Sequence, residues 1–319
     1  MANGSLVIHT INRAQIINDA WSLSKASELN FLTALRTIEY LGNEDEYVPW
    51  QAASYQFTYV SRMLMMSSIY GKYSNVMKSL IGNPFNTVGM NASVTESHTR
   101  KMFRILLTNQ ACTYNVETCV TTAKSLFKAW MDDSSHVNRI DPDIKQAVYC
   151  TAISEGGAEE WDFLYSQYKS SNNAAEKKRI LYALSCTKQT WILSKYLLMS
   201  LDPKEIRGQD IVYVISYVAE QSAGRDIAWN FVNDKWDYLI QQFGQGQFSF
   251  SGIIRAISVT LNTEYNMDQL LQFQRSHPDL SSGRQAFTQA LESTETNIRW
   301  MRENLHIISD WLDSRINAR

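Results

Sequence analysis

Apolar residues recur every three or four positions along almost the whole chain, and no alternating segment long enough for a strand interrupts them. In "NRAQIINDAWSLSKASEL", residues 12–29, Ile16, Ile17, Ala20 and Leu23 fall on one predicted helical face, with Asn18, Asp19 and Ser22 elsewhere. "FLTALRTIEYLG" predicts a second helix ending at Gly42, and "VPWQAASYQFTYVSRMLMMSSIYG" a third, with proline in its first turn and its stop at Gly71.

The same punctuation continues down the chain. "DPDIKQAVYCTAISEGG" offers Asp141 as N-cap, Pro142 as first helical residue and a glycine pair as stop. "LDPKEIRGQD" offers Asp202, Pro203 and Glu205 as a capping box. A last long helix is expected near 284–313, with Ile307, Ile308, Trp311 and Leu312 as its apolar stripe. Only five prolines and thirteen glycines occur, mostly at predicted helix ends. Roughly fifteen helices with short links must pack as antiparallel pairs. At 319 residues a superhelical solenoid is expected rather than one compact bundle. Any repeat is degenerate, closer to HEAT or armadillo pairs than to tetratricopeptide arrays. The reading is all-α, one helical-repeat domain over 1–319 with residues 1–10 as a lead-in.

With 45% apolar residues and 30 Lys+Arg against 32 Asp+Glu, the chain can bury a large core and has no basic block suited to nucleic acid. No apolar run, "IVYVISYVA" at 211–219 included, is long enough to enter a membrane as a span. The start, "MANGSLVIHT", lacks the charged and apolar regions of a signal peptide.

Local chemistry is sparse. His9, His98, His136, His277 and His306 are scattered, no His-Glu-x-x-His occurs, and each reads as a surface or loop residue rather than a metal ligand. "GQGQFSFS" at 244–251 follows a helix rather than a strand, so it reads as a helix–helix loop, not a phosphate cradle. The carboxylate pairs Glu44/Glu46, Asp132/Asp133 and Glu159/Glu160 read as solvated capping groups at helix ends or in loops. Trp130, Trp161, Trp229 and Trp236 are assigned to the core. No catalytic residue is assigned.

The cysteines leave alternatives open. Neither C-x-x-C nor zinc-type spacing occurs. Two bridges, most simply Cys112–Cys119 and Cys150–Cys186, would stabilise the fold by roughly 2.5 and 4 kcal/mol on the loop-entropy model. Four buried thiols fit the spacing as well, and three connectivities exist. Asn3 and Asn91 head N-x-S glycosylation sequons.

A longer pattern resembles a known family. Asn12 to Gln15, Asp19 with Ala20, and Tyr47, Pro49 and Trp50 reproduce the Asn-Arg-Ala-Gln, Asp-Ala and Tyr-x-Pro-Trp elements that open the C-terminal helical domain of zinc aminopeptidases of the gluzincin type. Within that family the pattern most resembles the aminopeptidase N branch. The similarity continues in order through "VYCTAISEGGAEEWDFLYSQY", "LSCTKQTWILSKYL", "IRGQD", "FSFSGII", "NTEYNMDQLLQF" and "ALESTETNIRWMRENLHIISDWL".

The resemblance implies pairing of Cys112 with Cys119 and of Cys150 with Cys186. It also implies a glycoprotein ectodomain, membrane-anchored or secreted, and thus an extracellular location. It implies a domain that covers the catalytic cleft and admits peptide substrates, partnered by a catalytic domain of the same polypeptide and by a second copy in a dimer. Zinc, His-Glu-x-x-His and Gly-x-Met-Glu-Asn belong to that other domain and are absent from this sequence. In the turn Gly246–Ser251, Phe248 is the implied substrate-channel residue, although packing between helices is its other reading. Gly252 departs from the polar residue common there. The alternative function is a stand-alone extracellular helical-repeat interaction module.

Overall fold

The computed structural model describes residues 7–133, 135, 137–243 and 249–317. Among these residues the chain is all helical, with sixteen α-helices, three short 3-10 turns and no strand. It divides into two units, Met1–Val148 with Trp300–Arg319, and Tyr149–Arg299.

In the first unit α1 (Thr10–Lys25) packs on α2 (Phe31–Arg36) and α3 (Tyr47–Leu64), α3 packs on α5 (His98–Thr113), and α5 contacts α4 (Tyr70–Val88) and α6 (Glu117–Asp132). The buried seam of α1 is Ala14, Ile17, Ala20, Trp21 and Ser24, and Ile16 and Leu23 are exposed, contrary to the predicted face. Trp21 sets this seam. Its ring meets Phe31 edge-on at 5.3 Å, and small residues at 14, 20 and 24 let α1 lie close to its neighbours. Trp300, from the last helix, extends the cluster to Phe31 and Tyr59, each 5.3 Å away.

Gly71 does not stop the third helix. That helix ends at Leu64, and Gly71 lies in the first turn of α4. Ser67 makes the break: its Oγ accepts from the Ile69 amide at 3.4 Å and its carbonyl accepts from the Tyr70 amide at 3.1 Å. Such local serine bonds compete with helix continuation. The true glycine stop is Gly89, whose φ of 69° lies in the left-handed region and closes α4. Asp141 turns the chain through its bond to the Asp143 amide (2.9 Å), and α7 (Lys145–Glu155) starts only at Lys145.

In the second unit α8 (Ala158–Ser170) packs on α9 (Ala174–Leu184), while α11 (Ile211–Ala219) touches α9, α10 (Thr190–Met199), α12 (Arg225–Asp234) and α14 (Ser249–Ser258). The remaining elements are α13 (Trp236–Phe243), α15 (Glu264–Ser276) and α16 (Arg284–Asn317). The glycine stop after α7 holds for a steric reason. A Cβ on Gly156 would sit 2.7 Å from both the Ala152 carbonyl oxygen and the Glu160 carboxylate, and that carboxylate accepts from the Gly157 amide at 2.7 Å. The capping box at Asp202 does not form. Asp202 instead accepts from the Lys204 amide (2.8 Å), and Glu205 is drawn away by Tyr165 and by Lys169 at 3.3 Å. Residues 203–207 therefore make a turn, not a helix.

In α16, Ile308, Trp311 and Leu312 are buried as expected and Ile307 is half-buried. Trp130, Trp161 and Trp236 are core residues, whereas Trp229 is half-buried against Phe273 at 5.7 Å.

Candidate functional site

Three features of the sequence carried functional expectations: the cysteines, the sequons and the turn before α14. The first cysteine pair forms in the tight link between α5 and α6. Asn115 takes a left-handed φ of 55°, and the Val116 amide bonds back to the Ala111 carbonyl at 2.8 Å. That reversal brings Cys112 and Cys119 to a Cα separation of 5.3 Å, and their sulfurs are joined. Tyr114 is buried inside the loop. Its ring packs edge-on against Tyr73 at 6.0 Å, and burial pushes its phenol up to about 12. The second bond links Cys150 of α7 to Cys186, two residues beyond α9. No free cysteine remains among the described residues.

Asn91 is exposed in the connection after α4. Next to it, the Met90 carbonyl accepts from Arg104 Nη1 at 3.3 Å, so the sequon hangs from a fixed point. The Arg104 side chain is 1% exposed and also meets Glu96, Asp141 and Asp143 at 3.2–3.4 Å. A hydrogen bond from Lys101 at 2.8 Å, with support from Arg104, holds the Asp143 carboxyl below its ordinary value. Asn3 and its sequon lie outside the described residues.

Phe248, with Gly246 and Gln247, also lies outside the described residues. The seat of that turn is described. Phe250, the second residue of α14, is fully buried with its ring 4.9 Å from that of Trp236. Trp236 meets Phe273 edge-on at 4.6 Å, and Phe273 stacks on Phe287 at 5.7 Å. His277 joins this cluster, its ring 4.4 Å from Phe273 and its Nδ1 3.1 Å from the Phe273 carbonyl. It is half-buried, in the link that directly follows α15.

The Ser281–Gly283 turn approaches α14 so closely that a Cβ on Gly283 would lie 2.4 Å from Ile254 and 2.8 Å from Phe250. Gly252 faces α11, where a Cβ would meet Val212 at 3.3 Å. The absence of a polar side chain at 252 thus accompanies a tight helix–helix approach. Sequence periodicity had placed Trp236 in the core but gave no sign that Phe273, His277 and Gly283 share its cluster.

Of the carboxylates read as solvated capping groups, Glu44 departs from that expectation and Glu160 meets the capping part of it. Glu44 is buried and held by Arg13, and Glu160 caps α8. Among the described residues no three His, Cys, Asp or Glu side chains are grouped so that they could hold a metal ion. The residues here do not fit a zinc site. No described helix is long and apolar enough to cross a membrane.

Known proteins resolve what this arrangement belongs to. Residues 1–296 match the model of the ERAP1-like C-terminal domain. The chain is 35% identical to aminopeptidase N of Canis lupus familiaris over 96% of its length, and 35% identical to aminopeptidase Ey of Gallus gallus over 98%. It is 31% identical to the thyrotropin-releasing hormone-degrading ectoenzyme of Rattus norvegicus over 96%. In each case it spans about a third of the relative's own length, 32%, 32% and 29% respectively. The chain belongs to the ERAP1-like C-terminal domain family and corresponds to the C-terminal portion of larger aminopeptidases.

Proposed function

We propose that this chain is the non-catalytic C-terminal domain of a zinc aminopeptidase, and that it covers the catalytic cleft and helps admit peptides whose N-terminal residues are removed. The family match over 1–296, against relatives three times as long, carries this reading. Zinc would be held by the part of the polypeptide upstream, where it would supply a Lewis acid and an activated water. The present chain contributes walls. The location is extracellular: two disulfides suit an oxidising compartment, and Asn91 is exposed for glycan addition. The partner within the polypeptide is the catalytic domain, and the intact enzyme is a homodimer.

Within this reading Phe248 lines the peptide channel. Support comes from its seat, since the helix it precedes is pinned by Trp236 and Gly283. Phe248→Ala in the intact enzyme should raise KM for peptides more than it lowers kcat, by about 1–2 kcal/mol of shared ground-state and transition-state binding. A one-residue amide should be affected less. An unchanged peptide KM together with a lowered melting point would assign Phe248 to packing instead.

A further inference from the structure

Five of the seventeen exposed large apolar side chains among the described residues crowd into one short segment: Val7, Ile8, Ile11, Ile16 and Leu23. Closeness in sequence does not by itself make a patch, but two of the five, Ile16 and Leu23, share one line of α1. On α1 the inner face is used up by Ala14, Ile17, Ala20, Trp21 and Ser24 against α2 and α3. Ile16 and Leu23, 48% and 49% exposed, lie two turns apart on a different line of the helix, with Asn12 and Asp19 on the same line at 4-3-4 spacing. Asn12 and Asp19 are exposed, and their side chains have no partner among the described residues. By contrast Arg13, beside Asn12, is accounted for inside the unit by Glu44. Half of the motif that opens the chain thus serves its own core, and the other half points outward unmatched.

We propose that the outward face of α1, along Asn12, Ile16, Asp19 and Leu23, is the docking surface for the upstream part of the same polypeptide; this rests on the reading of the chain as a C-terminal domain. The occupant follows from length and order. The relatives carry about twice this chain's length again, and the matching family model is of a C-terminal domain, so the remainder precedes residue 1. The first helix is the one that remainder reaches first. Two aliphatic side chains set among an amide and a carboxylate also suit contacts between domains of one chain, which are more polar than obligate subunit interfaces.

The test uses the full-length protein. Ile16→Cys and Leu23→Cys are each labelled with a maleimide under native conditions, with Leu198→Cys, 56% exposed on α10, as the reference. Labelling at 16 and 23 should be at least roughly tenfold slower than at 198 if folded polypeptide covers them. Equal rates overturn the proposal. Protection that disappears on dilution to monomers also overturns it, by assigning the face to a second copy. If a cysteine variant does not fold, hydroxyl-radical oxidation of Ile16, Leu23 and Leu198 in the unmodified protein reads the same accessibilities with the same criteria. Failure of the wider reading is separate: it shows as a full-length product with no peptidase sequence before residue 1.

Discussion

Arg13 grips Glu44 through two parallel hydrogen bonds, Nε to Oε2 at 2.7 Å and Nη2 to Oε1 at 2.9 Å. The Glu44 side chain is 1% exposed, and its backbone carbonyl accepts from the Trp50 indole at 3.0 Å. Arg13 belongs to the Asn-Arg-Ala-Gln element and Trp50 to Tyr-x-Pro-Trp, so two separated parts of the opening pattern meet on one buried residue, Arg13 at its carboxylate and Trp50 at its backbone carbonyl.

Removing one partner should therefore cost more than the pair itself contributes. Arg13→Ala leaves Glu44 buried and uncompensated, and should destabilise by about 3–5 kcal/mol. Replacing both with apolar residues of similar size should cost much less. Urea unfolding of the single and double variants checks this, and a double variant as unstable as Arg13→Ala would argue against it.

Gly283 should resist substitution for a steric reason. Gly283→Ala drives a methyl into Ile254 and Phe250, so overpacking of about 1–3 kcal/mol is expected. Because Phe250 directly follows Ser249, the same variant should alter peptide KM if Phe248 contacts substrate. Gly208→Ala, where a Cβ meets open space, is the control and should leave both stability and KM unchanged.

The two disulfides should differ in weight. Removing Cys112–Cys119, which closes a separation of 7, should cost roughly 2.5 kcal/mol, and removing Cys150–Cys186, with a separation of 36, roughly 4 kcal/mol. Melting of Cys→Ser double variants measures the order. Unreduced peptide mapping of secreted protein should show both links and no alkylatable thiol in this chain.

Asp143 gives the stability curve an acid limb. Its folded pKa lies below the unfolded value because of Lys101 and Arg104, so its contribution is present above the unfolded pKa, near 4. It is lost as pH falls through the folded pKa. Asp143→Asn should flatten the loss of stability below about pH 4 relative to wild type. A parallel acid limb in the variant would place the loss elsewhere.

Most helices were legible because their ends are signalled locally, as at the Gly156–Gly157 stop and along the Ile308–Trp311–Leu312 stripe. Some errors, as at Gly71 and Asp141, come from local side-chain bonds that stop or delay a helix, and the others share one cause: a partner far away in sequence. Glu44 looked like a solvated group because Arg13 is 31 residues away. Glu205 looked like a capping residue because Tyr165 and Lys169 are about as distant. Ile16 and Leu23 looked buried because periodicity finds an apolar side chain but not which neighbour covers it, and Trp21 rotates the seam away from them. The disulfide loops are joined as the resemblance implied, whereas spacing alone had left three connectivities open.

On the proposed reading this chain shapes access to a peptidase and performs no peptidase chemistry itself. Zinc content and release of N-terminal residues, measured for the full-length protein beside the 319-residue chain alone, test this most directly. The full-length protein should hold stoichiometric zinc and show chelator-sensitive release, with neither in the isolated chain. Chelator-sensitive turnover by the isolated chain, or a full-length protein without zinc or aminopeptidase activity, would contradict that reading.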